Sequence, residues 1–231
     1  MASKAERRAD AATAGPVGEV ARAIATSPAL NVDETGCHQG RERAWPWTAV
    51  GPGMTLFRID RSRGADALRR LDGEAIAPVV TSDRFPTYER APRRQIRWAH
   101  LRRDFQAMID RAAGGQGVGA KLLALSGRAF DWWRRLGSGA IRRSTLRGDV
   151  GWLRRVIRLN LEAGRDGPCK WTAKVCRQLL LVEGPLWTFA RAEGSAPTTT
   201  LRSGRCAMGS SGEGRAAGPT RIAGAVSSGR S

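Results

Sequence analysis

Two aspartates stand where a short apolar run ends. The stretch Ala29-Leu30-Asn31-Val32-Asp33-Glu34-Thr35-Gly36 delivers Asp33 just ahead of a glycine stop, and Ile76-Ala77-Pro78-Val79-Val80-Thr81-Ser82-Asp83-Arg84 does the same for Asp83. Carboxylates on two strand ends can share divalent cations, because ions such as Mg²⁺ take hard oxygen ligands at octahedral geometry. That pairing suits metal-assisted phosphoryl transfer. A single aspartate in such a place more often forms a turn or caps a helix, so the pair carries the reading and neither residue alone does.

Other groups near these runs have narrower roles. Glu34 follows Asp33 directly, and strand alternation points it to the opposite face, which makes it structural or solvent-facing. His100 lies four residues before Asp104 at the start of a helix, where capping or packing is favoured over metal or phosphate contact. No ordering of Ser82, Cys37 and histidine resembles a nucleophilic triad. Arg93, Arg94, Arg97, Arg102 and Arg103 cluster after the second acidic run, where a phosphate backbone approaching a cation held by the two acids needs neutralising. Trp132-Trp133-Arg134-Arg135 and Trp152-Leu153-Arg154-Arg155 repeat an aromatic-plus-basic pattern. It is read as tryptophans packed in a core with arginines outside, and the competing reading is stacking on splayed DNA ends.

The elements that must position these groups follow from periodicity. Residues 1–15 are rich in Ala and Arg without a clean apolar period, which reads as a weak or fraying helix. Val17, Val20, Ala21 and Ile24 then recur at helical spacing up to Pro28. After Asp33, the runs 44–50 and 54–59 flank Gly51-Pro52-Gly53 and give three antiparallel strands. Pro46 cannot donate to a ladder and belongs at an edge or bulge. Ala65, Leu68 and Leu71 mark a helix. The second acidic strand over 76–83 follows it, then a short helix near 87–90, a fifth strand over 95–98, and a helical stripe of Leu101, Phe105, Met108 and Ile109.

From Gly117 to about Glu193 the pattern is wholly helical. Three stripes carry it: Val118, Leu122, Leu125, Ala129, Trp132 and Leu136; Val150, Leu153, Ile157 and Leu161; and Trp171, Val175, Leu179 and Val182. Loops fall at 137–139 and 164–168. The tail from Leu201 is Gly- and Ser-rich with few large apolar residues, and reads as disordered.

A net charge of +18, from 39 basic and 21 acidic residues, draws a chain toward polyanions by releasing counterions at phosphates. The excess is nearly all Arg, with Lys only at 4, 121, 170 and 174, a bias that GC-rich coding also produces. Cys37, Cys169, Cys176 and Cys206 form no Cys-x-x-Cys pair and only His38 and His100 accompany them, which argues against structural zinc and for reduced thiols. No run of eighteen apolar residues occurs, and the charged segment Met1–Asp10 has no apolar stretch behind it. The expected setting is the cytoplasm, on the nucleoid if DNA is bound, with no membrane partner and no small-molecule substrate.

The wording around the acids goes further. Asn31-Val32-Asp33-Glu34-Thr35-Gly36, Phe57-Arg58-Ile59-Asp60-Arg61-Ser62-Arg63-Gly64, Ser82-Asp83-Arg84-Phe85 and Trp98-Ala99-His100-Leu101-Arg102-Arg103-Asp104-Phe105 occur in an order and spacing that resembles bacterial transposases of the insertion-sequence 66 family, from about Pro28 to Thr199. The resemblance implies a ribonuclease-H-like α/β fold, a mixed five-stranded sheet in which the strands ending in Asp33 and Asp83 are neighbours. It also implies metal-dependent DNA strand cleavage and transfer, with Asp33 and Asp83 as catalytic metal ligands for Mg²⁺ or Mn²⁺, DNA (element ends and target) as partner, and a homo-oligomer as compatible with the family while the oligomeric state stays open.

Implied domains are a helical lead-in (1–28), an incomplete catalytic core (29–112), an α-helical insertion (113–196) and a disordered, off-frame tail (197–231). In the family a third acid lies in Pro-Thr-Asn-Asn-x-x-Glu-Arg. Here Pro197-Thr198 is followed by Thr199-Thr200-Leu201-Arg202-Ser203, and the only later acid is Glu213 between glycines. One permitted coding of 198–206, read two bases on, gives His-Asn-Ala-Ala-Glu-Arg-Ala-Leu, so a frameshift accounts for the loss. The chain then reads as the truncated middle of a longer transposase, inactive for want of the glutamate. The alternative is a non-catalytic basic remnant that binds nucleic acid.

Overall fold

The computed structural model describes residues 4–72, 79–111, 113–192, 195–197 and 221–226. They fall into two compact units that divide inside a strand: residues up to Arg94 together with 221–226, and the residues from Gln95 onward.

The first unit is a mixed sheet with helices. Helix α1 (Lys4–Ala25) opens it, joining the Ala- and Arg-rich start, expected as a weak or fraying helix, and the stripe from Val17 to Ile24 in one element. High alanine content favours helix locally, and Val20 and Ile24 anchor its last turns in the core. Strands β1 (Ala29–Glu34), β2 (Cys37–Gln39), β3 (Glu42–Gly51) and β4 (Met54–Asp60) follow, then α2 (Ala65–Asp72) and β5 (Val79–Ser82). A single 3-10 stretch, Pro86–Arg90, leads to β6 (Arg94–Ile96). Residues 76–78 of the expected second acidic strand lie outside the described residues. Strand β6 is shorter than the expected 95–98, because the next helix already begins at Trp98.

Strand order is β6-β5-β1-β3-β4-β7, with β2 paired to β3. Strand β1 is antiparallel to β3 and parallel to β5. Pro52 and Gly53 form the two-residue link between β3 and β4, with Gly53 at φ 71°, a conformation a residue with a Cβ seldom takes. Pro46 lies inside β3 without breaking it. Its carbonyl accepts the Thr35 N–H, and an extended residue points both backbone groups to the same side, so the missing donor falls at the junction of β1 and β2 and not in the β4 ladder.

Leu30, Val32, Trp47, Ala49, Leu56, Leu68, Leu71, Val80 and Tyr88 form the core of this unit with α1 and α2. The tail departs from its reading as disordered: Arg221–Val226 forms β7, parallel to β4 with Met54 opposite Arg221 and Ile59 opposite Val226. Average composition hides this six-residue segment, and β4 offers it a row of backbone groups to pair with. The remainder of the tail beyond Pro197 lies outside the described residues.

The second unit is helical: α3 (Trp98–Asp110), α4 (Gln116–Gly137), α5 (Arg143–Arg165), α6 (Lys170–Leu181) and a final short turn, α7 (Thr188–Arg191). Helix α3, grouped by sequence with the sheet, shares a core with this block through Trp98, Leu101, Phe105 and Met108. The stripes at 150, 153, 157 and 161 and at 175 and 179 are buried as their spacing implies. Gln95 ties the block together, its side-chain amide donating to the Leu186 carbonyl at 3.2 Å and accepting the Phe189 N–H at 2.6 Å. The Trp98 indole also donates to the Leu186 carbonyl, at 2.9 Å, and its ring meets Trp187 edge-on with 5.2 Å between centroids.

Close approach of α3 and α4 depends on Gly119, where an added Cβ would lie 2.7 Å from both the Met108 Cβ and the Phe105 carbonyl oxygen. Alanine gains roughly 1 kcal/mol over glycine inside a helix, but overpacking against backbone costs about 1–3 kcal/mol. Gly119→Ala is therefore expected to destabilise the protein in urea melts. Gly127→Ala, in open space on the same helix, is expected to be neutral or stabilising.

Candidate functional site

The parallel pairing of β1 with β5 has a constant offset, with Ala29 opposite Val79, Leu30 opposite Val80 and Asn31 opposite Thr81. The pairing ends at Asn31 and Thr81; the same offset counted on by two residues relates Asp33 to Asp83. Asp33 sits within the β1–β3 ladder across from Thr48. Asp83 lies one residue past the end of β5, and its Oδ1 accepts the Phe85 N–H at 2.8 Å, which fixes the turn into the 3-10 stretch.

Arg94 holds that turn from the other side. Its guanidinium donates to the Asp83 carbonyl at 2.7 Å and to the Phe85 carbonyl at 3.2 Å, and Arg94 is buried. Burial pulls its pKa below the usual arginine value, and the Asp83 charge opposes that pull. Sequence reasoning grouped Arg94 with the DNA-facing arginines, but the carbonyls of the Asp83 turn take its hydrogen bonds.

Glu34 is more deeply engaged than a surface acid. Alternation along β1 puts it on the face of Leu30 and Val32, and its side chain is almost wholly buried. One carboxylate oxygen accepts from Arg63 Nε at 3.0 Å and Nη2 at 2.8 Å, and the other accepts the Tyr88 hydroxyl. Tyr88, the single tyrosine of the chain, is buried against Trp47. Arg63 lies over the Phe85 ring, 4.0 Å from its centroid, and also over Trp45.

Burial pushes the Glu34 carboxyl above its ordinary range, and the Asp83 charge adds to that. Tyr88 and Arg63 pull it back without overcoming it. The Tyr88 hydroxyl is held protonated first by burial, then by the charge of Glu34 and its hydrogen bond, and further by the charges of Asp83 and Asp33. One phenol thus feels the charges of all three carboxylates. This network was missed, although the alternation Leu30, Val32, Glu34 was the signal that could have found it.

The remaining predicted residues are distributed unevenly. Arg93 is exposed and its carbonyl accepts the Val80 N–H. Arg97 precedes α3 and is buried. Arg102 is half-buried, donates to the Ser126 hydroxyl at 2.8 Å and lies over Phe130. Arg103 is exposed, and with Arg102, Ala99, Gln106 and Leu123 it lines a shallow groove. His100 is half-buried in the first turn of α3, its N–H donating to the Arg97 carbonyl. Trp133 packs edge-on against Phe189 as a core residue, whereas Trp152 is 47% exposed. Among the described residues no group of three or more His, Cys, Asp or Glu side chains is arranged to hold a metal, and no helix is long and apolar enough to cross a membrane.

Comparison with known proteins places the chain among transposases. The family model described as Transposase IS66 family matches residues 2–147, more than half of the chain. The chain belongs to that family. No curated protein and no solved structure matches it.

Because Glu34 titrates higher in the folded than in the unfolded chain, the unfolded chain releases this proton first as pH rises. The Glu34 contribution is thus most favourable below its ordinary value of 4.5 and is lost as pH climbs through the raised folded value. Glu34→Gln is expected to gain stability relative to the parent between pH 4.5 and pH 7 in urea melts. A difference independent of pH would contradict this.

Proposed function

We propose that Asp33 and Asp83 are two of the carboxylate ligands of a metal-dependent DNA transposase, built on a ribonuclease-H-like sheet, and that this chain is an inactive fragment lacking the third acid. The β1–β5 register, whose offset counted on past Asn31 and Thr81 relates Asp33 to Asp83, supports the reading. The strand order β4-β3-β1-β5-β6, with β5 parallel to β1, supports the fold, and family membership supports DNA as substrate.

The donor set fits a hard divalent cation, Mg²⁺ or Mn²⁺. Asn31, two residues before Asp33 and so on the same face of β1, keeps a buried Oδ1 without a hydrogen-bond partner among the described residues, as an oxygen facing a cation or its water would. A cation bound by Asp33 and Asp83 would supply Lewis-acid activation of water or a DNA 3′-hydroxyl and of the phosphate under attack. Arg94 and the Phe85 N–H orient Asp83 for this role. Glu34 is committed to Arg63 and Tyr88 and does not replace the missing acid. Arg93 and Arg103, the exposed members of the arginine cluster, are the ones suited to DNA phosphates.

The fragment reading rests on Thr199-Thr200-Leu201-Arg202-Ser203, which stand in place of the family's Asn-Asn-x-x-Glu-Arg. Two carboxylates neutralise less of the charge that phosphoryl transfer develops, so a rate loss of about a thousand-fold or more is expected. What remains is a basic chain that binds DNA.

Purified protein with Mg²⁺ or Mn²⁺ and element-end DNA is expected to show salt-sensitive binding without strand cleavage, and Arg93→Glu with Arg103→Glu is expected to weaken the binding. Robust cleavage abolished by Asp33→Ala would overturn the fragment reading. An affinity that does not change between low and high salt would overturn the electrostatic one.

A further inference from the structure

Helix α5 exposes a tryptophan that its own fold does not use. Trp152 is 47% exposed, while Leu153 and Ile157 beside it are buried in the core. Across on α4, the Arg128 guanidinium lies over the Trp152 ring, 5.5 Å from its centroid. Arg128 also begins an open surface groove along α4, lined by Asp131, Trp132, Arg134, Arg135 and Ser138. Arg155, one turn beyond Trp152, is exposed. Gly148 and Gly151 put no side chain beside Trp152 on its own helix, and both face open space.

Charge selects the occupant. Helix α4 carries four cations against Asp131, and α5 carries six against Asp149 and Glu162. Arg134 is bridged to Asp131 and Arg158 to Glu162, Asp149 stands half-buried one turn before Trp152, and Arg128, Arg135 and Arg155 are exposed. Four and six cations against one and two acids favour a polyanion over a protein partner, which would have to bring a matching acidic patch. A polyanion with flat faces also suits the exposed ring.

We propose that the α4–α5 surface binds single-stranded DNA, one unpaired base stacking on Trp152 with the flanking phosphates met by Arg128, Arg135 and Arg155. A duplex buries the faces of its bases in its own stack, so the aromatic part of the site discriminates for an unpaired strand, whereas the arginines alone attract either form. The inference rests on the reading that the chain handles DNA, and deepens it by naming a strand-separated segment as the ligand. It does not require the acids to be active.

The test is fluorescence anisotropy of the full chain with a labelled oligothymidylate and with a blunt duplex of equal length, at matched salt. Trp152→Ala is expected to weaken single-strand binding about ten-fold, Trp152→Phe to retain most of it, and neither to change duplex affinity more than about two-fold. Trp152→Phe keeps the covered half of the ring, so its retained binding, with duplex affinity unchanged in both variants, separates lost stacking from lost fold. Equal weakening on both ligands, or no change on either, would overturn the proposal. So would a Trp152→Ala protein that loses self-association by light scattering while its single-strand affinity stays intact, since the surface would then be a contact between copies. Metal-dependent cleavage is a separate readout: a stacking effect without cleavage supports this surface and leaves the fragment reading intact, and cleavage without a stacking effect does the reverse.

Discussion

The alignment of β1 with β5 is the constraint on which the site depends. Leu30 and Val80 face each other across that pair and are both almost completely buried. A slip of one residue would turn Leu30 and Val32 out of the core and Asp33 into it, so the hydrophobic pattern locks the register on which the proposed pairing of Asp33 with Asp83 rests. Packing and chemistry are thus specified by one set of contacts. Trp47, opposite Glu34 on β3, reinforces the lock by donating its indole N–H to the Ser62 carbonyl.

Placing carboxylates at the end of a buried strand pair carries an electrostatic cost, and the surrounding residues show how it is met. Glu34 is removed from water but receives Arg63 and Tyr88. Arg94 is buried to satisfy the carbonyls of the Asp83 turn, and the Asp83 carboxylate takes a backbone N–H. Asp60 repeats the pattern further along: burial pushes its carboxyl up, but the Arg70 guanidinium and the Ser62 N–H outweigh burial and hold it below the usual range. These are hydrogen-bonded charges, and buried charges persist when they are paired in this way.

Much of this was legible in the sequence, for identifiable reasons. Asp33 and Asp83 stood out as a pair, each closing a short apolar run, although either alone more often marks a turn, and the helical stripes of α5 and α6 were long enough for their period to speak. The arginines were less readable. Arg93 and Arg94 are adjacent in the chain, yet one is exposed and the other clamps a turn, and only the partner carbonyls of Asp83 and Phe85 decide which is which. Trp133 and Trp152 share a motif, but Trp133 has Phe189 to pack on while Trp152 lies under Arg128 and is half exposed. Strand β7 was hidden because a composition average over a Gly- and Ser-rich tail says nothing of a six-residue segment with a strand edge beside it.

Mn²⁺ binding followed by electron paramagnetic resonance tests the central claim most directly, because it reads the joint presence of the two carboxylates without asking for catalysis. If the register brings Asp33 and Asp83 together, the parent chain takes up Mn²⁺, and Asp33→Asn and Asp83→Asn each abolish that uptake. Unchanged binding after either substitution would show that the two aspartates do not form one site.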